Sequence, residues 1–167
     1  MITSSIAEAA QLLKQGQVLA YPTEAVWGLG CDPLNQHAFQ EILELKQRPI
    51  EKGVILLAGQ LEHVEHLLQT LTPEIRKQVI ASWSDREPTG RATTWLLPAD
   101  QHIPTWIKGQ HPLVAVRVTT HPLCVDLCDA FGGFIVSTSA NPAGLNPAHN
   151  LQAAQSYFGS SLHYLEG

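Results

Sequence analysis

Short runs of Val, Ile and Leu alternate along this chain with segments whose apolar residues recur at helical spacing. Such alternation is typical of an α/β domain, in which amphipathic helices cover apolar strands. The runs predict strands at 18–21, 54–57, 94–97, 113–118 and 134–137. The periodic segments predict helices at 6–15, 38–45, 60–69, from 72 onward, near 122–130 and at 150–158. Because the strands are apolar along their length, we expect a mixed sheet that is largely covered on both faces.

Length and charge exclude several classes of protein. The 167 residues suffice for one core, so we expect a single domain over 1–167. The 10 Lys and Arg against 15 Asp and Glu give a net charge of −5, which excludes a globally basic nucleic-acid binder. No apolar run approaches the roughly 18 residues that cross a membrane, and no signal peptide is evident. The odd number of cysteines, 3, favours reduced thiols in the cytoplasm.

The segment that follows the first predicted strand, residues 21–30, is a candidate ligand loop. Loops that leave strand ends are where open α/β sheets bind ligands. Gly28 and Gly30 begin a dinucleotide-binding fingerprint, but Pro33 stands where the third glycine is required. The sequence also lacks a Walker phosphate loop. The alternative interpretation of this segment is a tight turn.

Two cations lie where the second predicted helix breaks before Pro49. Lys46 offers a compact charge and Arg48 a planar fork for two phosphate oxygens, so together they could bind one anion. Alternatively, both cations complement the helix C-terminus, and spacing alone favours this second interpretation.

Polar residues at two other strands are further candidates. The cluster at 137–141 could cradle a ligand, or it could be a polar turn that satisfies its own backbone. Arg117 interrupts an apolar strand and could bind a substrate carboxylate or pair with an acid of the protein. His63 and His66 lie three apart, but no third metal ligand is evident, so we assign no metal site.

Four segments, taken together and in this order, resemble the YrdC-like family. They are YPTEAVWGLGCD at 21–32, LKQRP at 45–49, AVRV at 115–118 and STSAN at 137–141. The resemblance covers nearly the whole chain and implies a twisted α/β sheet with a large concave groove. It further implies a nucleotidyltransferase that makes threonylcarbamoyl-adenylate and pyrophosphate from L-threonine, bicarbonate and ATP. A partner complex would then transfer the threonylcarbamoyl group to the adenosine beside the anticodon of tRNAs.

The resemblance also implies roles for individual residues. The family's K-x-R motif falls on Lys46 and Arg48, and its S-x-N motif falls on Ser139 and Asn141. Both motifs are expected to bind ATP, accompanied by Mg²⁺, with Lys46 and Arg48 as the catalytic cations on the triphosphate. Three positions are expected to bind threonine, namely Thr23, Arg117 and Ser137.

Two segments depart from the family pattern. Residues 84–92 stand where the family has a shorter Trp-Pro-Gly-Pro turn, and the chain ends at Gly167 where relatives continue. The corresponding family segments shape and close the site, so these departures would lower or abolish activity. The alternative function is a non-catalytic YrdC-like module that binds RNA in its groove, as in ribosome maturation. The net charge of −5 argues against that alternative.

Overall fold

In the computed structural model, which describes residues 1–47, 54–84, 93–109 and 111–167, eight strands form one mixed sheet. The strands are β1 (Ile2–Thr3), β2 (Leu19–Tyr21), β3 (Gly28–Cys31), β4 (Ile55–Ala58), β5 (Thr94–Pro98), β6 (Leu113–Val118), β7 (Ile135–Ser139) and β8 (His163–Leu165). The α-helices of the described residues are α1 (Ile6–Lys14), α2 (Gln36–Lys46), α3 (Pro73–Ser84), α4 (Thr105–Lys108), α5 (Pro122–Phe131) and α6 (Leu151–Phe158).

The strand order is β1-β8-β2-β3-β7-β4-β6-β5. β8 is parallel to β1 and β2, and β4 is parallel to β6, whereas the other neighbouring pairs are antiparallel. The predicted mixed α/β sheet is confirmed. Within the described ranges, no helix is long and apolar enough to cross a membrane.

Helices pack on both faces of the sheet. On one face, Leu57 of β4 and Ile135 of β7 pack with Leu13 of α1 and with Leu127 and Cys128 of α5. Side chains alternate between the faces of a strand, so the neighbouring residues point the opposite way. The opposite face carries the larger apolar cluster, which includes Leu56, Val116, Val136, Phe39, Ile42 and Trp83.

Helix starts follow the capping signals in the sequence. The Glu8 amide donates to Ser5 Oγ at 3.2 Å, and the Ile75 amide donates to Thr72 Oγ1 at 3.3 Å. These bonds satisfy amides that a first helical turn leaves without partners. The Glu8 carboxylate does not complete a capping box, because it accepts a hydrogen bond from Thr3 Oγ1 at 3.1 Å instead.

The predicted helix at 60–69 is wrong. Residues Leu61–His63 and Glu65–Leu68 form two separate 3₁₀ turns. Val64, which stands between them, has a non-helical backbone with φ −125° and ψ 9°. The apolar residues Leu61, Val64 and Leu67 recur every three positions, which fits the three-residue turn of a 3₁₀ helix better than the α-helical repeat.

Candidate active site

An open groove of about 530 Å³ lies along β4, β6 and β7. Ser137, Ile55, Ala115 and Leu96 pair in register across four adjacent strands, and all four line this groove. Residues in register project from the same face of a sheet. This face is covered by α1 and α5 further along the same strands, at the level of Leu57. The remaining lining residues include Ile107, Lys108 and His111.

Lys46 is a charged residue buried at the end of α2, where it is only 2% exposed. Its Nζ donates to the main-chain oxygens of Ser139 and Asn141 at 2.5 and 2.9 Å. The side-chain oxygens of the same two residues lie 3.5 and 3.3 Å from Nζ. These contacts compensate the burial of the ammonium group and join the end of α2 to the turn after β7. The structure therefore brings Lys46, Ser139 and Asn141 together, with Ser139 lining the groove.

Helix α2 stops directly after Lys46. Gln47 adopts the left-handed conformation with φ +52°, and its amide donates to the carbonyl groups of Glu44 and Leu43. A left-handed conformation is unusual for a residue other than glycine. Arg48, the second predicted phosphate ligand, lies outside the described residues, as do residues 85–92 of the altered segment.

The S-x-N motif forms a turn that bonds to itself. Ser139 Oγ donates to Asn141 Oδ1 at 2.6 Å, and Asn141 Nδ2 donates to the carbonyl oxygens of Pro142 and Leu145 at 3.0 and 2.9 Å. Asn141 thus makes the bonds expected of a polar turn, while Ser139 also faces the groove. The ATP-binding role of both residues stays a prediction.

The hydroxyl groups at the predicted threonine positions have protein partners. Ser137 Oγ accepts a hydrogen bond from the Tyr21 hydroxyl at 2.7 Å. Burial raises the pKa of Tyr21 well above its ordinary value, so this donor keeps its proton. Thr23 Oγ1 donates to the carbonyl oxygen of Val26 at 2.5 Å and accepts from the Ala25 amide at 3.1 Å. Thr23 therefore organises its own loop, and Ser137 lines the groove.

Arg117 has two partners on neighbouring segments. Its Nε donates to Thr94 Oγ1 at 2.8 Å, and its Nη1 lies 3.7 Å from Glu24 Oε1. Glu24 also accepts a hydrogen bond from Thr119 Oγ1 at 2.8 Å through Oε2. The structure thus contains the acid pairing that the sequence left open, and the threonine-binding role of Arg117 stays a prediction. Sequence reasoning missed Glu24 as the partner of Arg117. Its position directly after Thr23, in the candidate ligand loop, is the signal that could have identified it.

Other nucleophilic and metal-ligating groups lie elsewhere. All three cysteines are free and buried, and burial raises the pKa of Cys31 and of Cys128 to about 12. His63 lies 3.9 Å from Asp129, whereas His66 contacts Asp100 at 2.5 Å. The two histidines therefore have different acidic partners.

The model of the Sua5/YciO/YrdC family, described as "Telomere recombination", matches residues 11–166. This chain belongs to that family. It is 72% identical over 167 residues to a protein of Acinetobacter baumannii named threonylcarbamoyl-AMP synthase, covering 100% of this chain and 88% of the relative. A protein of the same name from Acinetobacter baylyi is 68% identical over 168 residues, with the same coverage.

Solved structures share the fold. Sua5 of P. abyssi, in a crystal structure complexed with L-threonine, has a TM-score of 0.87 and 27% identity to this chain. That alignment covers 100% of this chain and 50% of the P. abyssi chain, so this chain spans about half the length of that relative. E. coli YciO has a TM-score of 0.80 at 18% identity, with 100% and 82% coverage, which shows a common fold.

Proposed function

We propose that this chain is a threonylcarbamoyl-AMP synthase that forms threonylcarbamoyl-adenylate and pyrophosphate from L-threonine, bicarbonate and ATP. The observation that carries the proposal is its 72% identity, over its whole length, to a protein of that name. That alignment includes residues 84–92, which supports the compatibility of this altered segment with synthase activity. The groove supports the proposal because the hydroxyl groups of Ser137 and Ser139 line it and the buried ammonium group of Lys46 lies 3.5 Å from Ser139 Oγ.

The chemistry requires no nucleophile from the protein. The amine of threonine and bicarbonate form a carbamate with loss of one water, a carbamate oxygen attacks the α-phosphorus of ATP, and pyrophosphate leaves. The protein then contributes the positions of both substrates and compensation of negative charge. The buried thiols, which remain protonated at neutral pH, fit a reaction that uses no cysteine nucleophile.

The triphosphate lies, in this proposal, at the end of the groove next to Ser139. Lys46 supplies a positive charge whose position is fixed by main-chain carbonyl groups. Ser139 offers a hydroxyl group, and Arg48 is the second cation that the K-x-R motif predicts. The described lining residues of the groove include no carboxylate, which suits Mg²⁺ that enters with ATP and is held by phosphates and water.

Threonine lies toward Arg117, with its carboxylate on the guanidinium group. In the strand register, Leu57 pairs with both Arg117 and Ile135, so Arg117 is level with Ile135. Ile135 lies four residues before Ser139, which corresponds to about 13 Å along the strand at 3.3 Å per residue. An amino acid joined through a carbamate to the phosphates of ATP fits that span. Ser137 lies between the two ends.

The reaction belongs, in this proposal, to the cytoplasm, where the product serves the complex that modifies tRNA. The three free thiols support a reducing compartment. The chain itself makes the activated group, and the transfer to the adenosine beside the anticodon is the task of the partner complex.

Synthesis of the adenylate from purified components tests the proposal. The protein is incubated with ATP, L-threonine, bicarbonate and Mg²⁺, and both pyrophosphate and threonylcarbamoyl-adenylate are quantified, the latter by mass spectrometry. We expect one pyrophosphate per adenylate, and neither product when threonine or bicarbonate is omitted. Salt-sensitive tRNA binding without adenylate formation would contradict the proposal and favour the RNA-binding alternative.

A further inference from the structure

Three side chains that can ligate metals meet outside the groove. They are His66 in the second 3₁₀ turn, and Asp100 and His102 in the loop after β5. One ligand atom from each residue lies within 4.8 Å of the others. None of the three lines the groove, whereas His102 lines a second cavity of about 670 Å³.

The distances within this cluster are close to those around a metal ion. His66 Nδ1 lies 2.5 Å from Asp100 Oδ2, and His102 Nδ1 lies 3.5 Å from Asp100 Oδ1. Zinc bonds of 2.0–2.2 Å in a tetrahedral site separate the ligand atoms by about 3.4 Å. Side-chain shifts of about 1 Å would therefore place all three ligand atoms at bonding distance from one ion.

The surrounding structure orients two of the three side chains. The His102 amide donates to Asp100 Oδ1 at 2.9 Å, which fixes the carboxylate and leaves Oδ2 toward His66. The ring of Phe134 lies 6.2 Å from the ring of His66, centroid to centroid. His102 has 64% side-chain exposure, so an ion bound here keeps a position open to water.

We propose that His66, Asp100 and His102 bind one divalent transition-metal ion of the zinc class. Two imidazoles and one carboxylate are borderline ligands that suit Zn²⁺, whereas Mg²⁺ prefers oxygen ligands alone. Binding replaces the direct contact between His66 and Asp100 with a bond from each side chain to the ion. The ion joins the 3₁₀ turn to the loop after β5.

Titration of the full chain with metal ions tests this site. After treatment with chelator and dialysis, the protein is titrated calorimetrically with ZnCl₂, and separately with CoCl₂ while visible absorption is recorded. We expect one Zn²⁺ per chain, an absorption band of bound Co²⁺ that Zn²⁺ abolishes, a higher Tm with Zn²⁺, and no binding of MgCl₂. A wild-type chain that binds no Zn²⁺ overturns the proposal.

The chain has 8 histidines, and variants distinguish the two of this cluster from the others. Asp100→Asn and His102→Gln should each weaken Zn²⁺ binding by more than about tenfold. His102 is exposed, so this variant is expected to fold normally. His63→Gln is the matched control, because His63 lies 3.9 Å from Asp129 and not beside Asp100. The Zn²⁺ affinity of this variant should equal that of the wild type. Equal affinities in all four proteins, or an equal loss in the control, overturn the assignment.

Discussion

The Tyr21 hydroxyl donates a 2.7 Å hydrogen bond to Ser137 Oγ across the intervening strand β3. The tyrosine ring lies over the two glycines of that strand. A Cβ at Gly28 would lie 3.2 Å from the ring, and a Cβ at Gly30 would lie 2.8 Å from the tyrosine hydroxyl oxygen. The absence of side chains on the Gly28 and Gly30 face of β3 thus allows a residue of β2 to orient a hydroxyl group in the groove.

Replacing Tyr21 by Phe tests that orientation. Loss of the hydrogen bond should lower the free energy of unfolding by about 1 kcal/mol and raise KM for threonine. Tyr164→Phe is the control, because that hydroxyl is also bonded, to the Gly159 carbonyl oxygen at 2.7 Å, but not to a groove residue. Urea denaturation should show a similar loss in both variants, while steady-state kinetics should show a raised KM for threonine only in Tyr21→Phe. Equal KM values for threonine in both variants would show that Tyr21 does not orient Ser137 for threonine binding.

Gly30 should tolerate no side chain. In Gly30→Ala, the new Cβ would lie 2.7 Å from the Val136 carbonyl oxygen, which is main chain and cannot move without disturbing β7. We expect a loss of about 1–3 kcal/mol in the free energy of unfolding. Gly133→Ala is the control, since nothing lies within 4 Å of a Cβ there and no positive φ is present. Denaturant unfolding of the two variants measures the difference, and equal stabilities would contradict the close approach of the Val136 carbonyl oxygen to Gly30.

The structure also shows which features a single sequence reveals. Long apolar runs and strong periodicity located β6 and α5 closely, because buried faces impose those patterns. Strand β3 is absent from the predicted elements because glycines disfavour strands and are typical of the ligand loop, or tight turn, that the sequence predicts at 21–30. Strands β1 and β8 were missed because two or three residues are too few to show alternation.

The candidate site was predictable only in part. Motifs adjacent to strand and helix ends identified Lys46 and Ser139, which the structure places together. The Glu24 partner of Arg117 and the Asp100 partner of His66 come from distant segments. Sequence spacing carries no information about such pairs, because the sheet topology brings them together.

Lys46 is expected to be needed both for stability and for ATP binding. Lys46→Met removes the donor to the carbonyl oxygens of Ser139 and Asn141 and should cost about 1–3 kcal/mol of stability. ATP affinity should fall as well, because the fixed positive charge is lost. Lys14→Met is the matched control: Lys14 is likewise the last residue of its helix, but its side chain is exposed. Thermal unfolding and calorimetric titration with ATP should show a clear change in Lys46→Met alone.

The buried thiols predict a loss of stability at alkaline pH. Burial raises the pKa of Cys31 and of Cys128 to about 12, so both remain protonated in the folded state. In the unfolded state they ionise above pH ~8.5, so the folded state binds more protons and stability falls as pH rises. Each thiol should contribute a slope of at most about 1.4 kcal/mol per pH unit between about pH 9 and 12.

Denaturation with urea at pH 7.5 and 10 measures that decline. The free energy of unfolding of a Cys31→Ala/Cys128→Ala variant should decline less steeply than that of the wild type over the same interval. The two substitutions also remove packing contacts, but that loss is the same at every pH. Identical slopes would mean that other groups cause the decline.

Arg117→Met separates substrate binding from structural pairing. Loss of the guanidinium should raise KM for threonine more than about tenfold, because a charge-assisted contact is worth about 1.5–3 kcal/mol. The KM for ATP should remain unchanged. The Glu24 pair itself should contribute at most about 1 kcal/mol, because Arg117 Nη1 and Glu24 Oε1 lie 3.7 Å apart, which is too far for a hydrogen bond. Glu24→Gln keeps the guanidinium, so its KM for threonine should remain close to the wild-type value. If Arg117 only pairs with Glu24, Arg117→Met and Glu24→Gln should lose the same free energy of unfolding, and the double variant should lose no more. The KM for threonine should then be unchanged in all three variants.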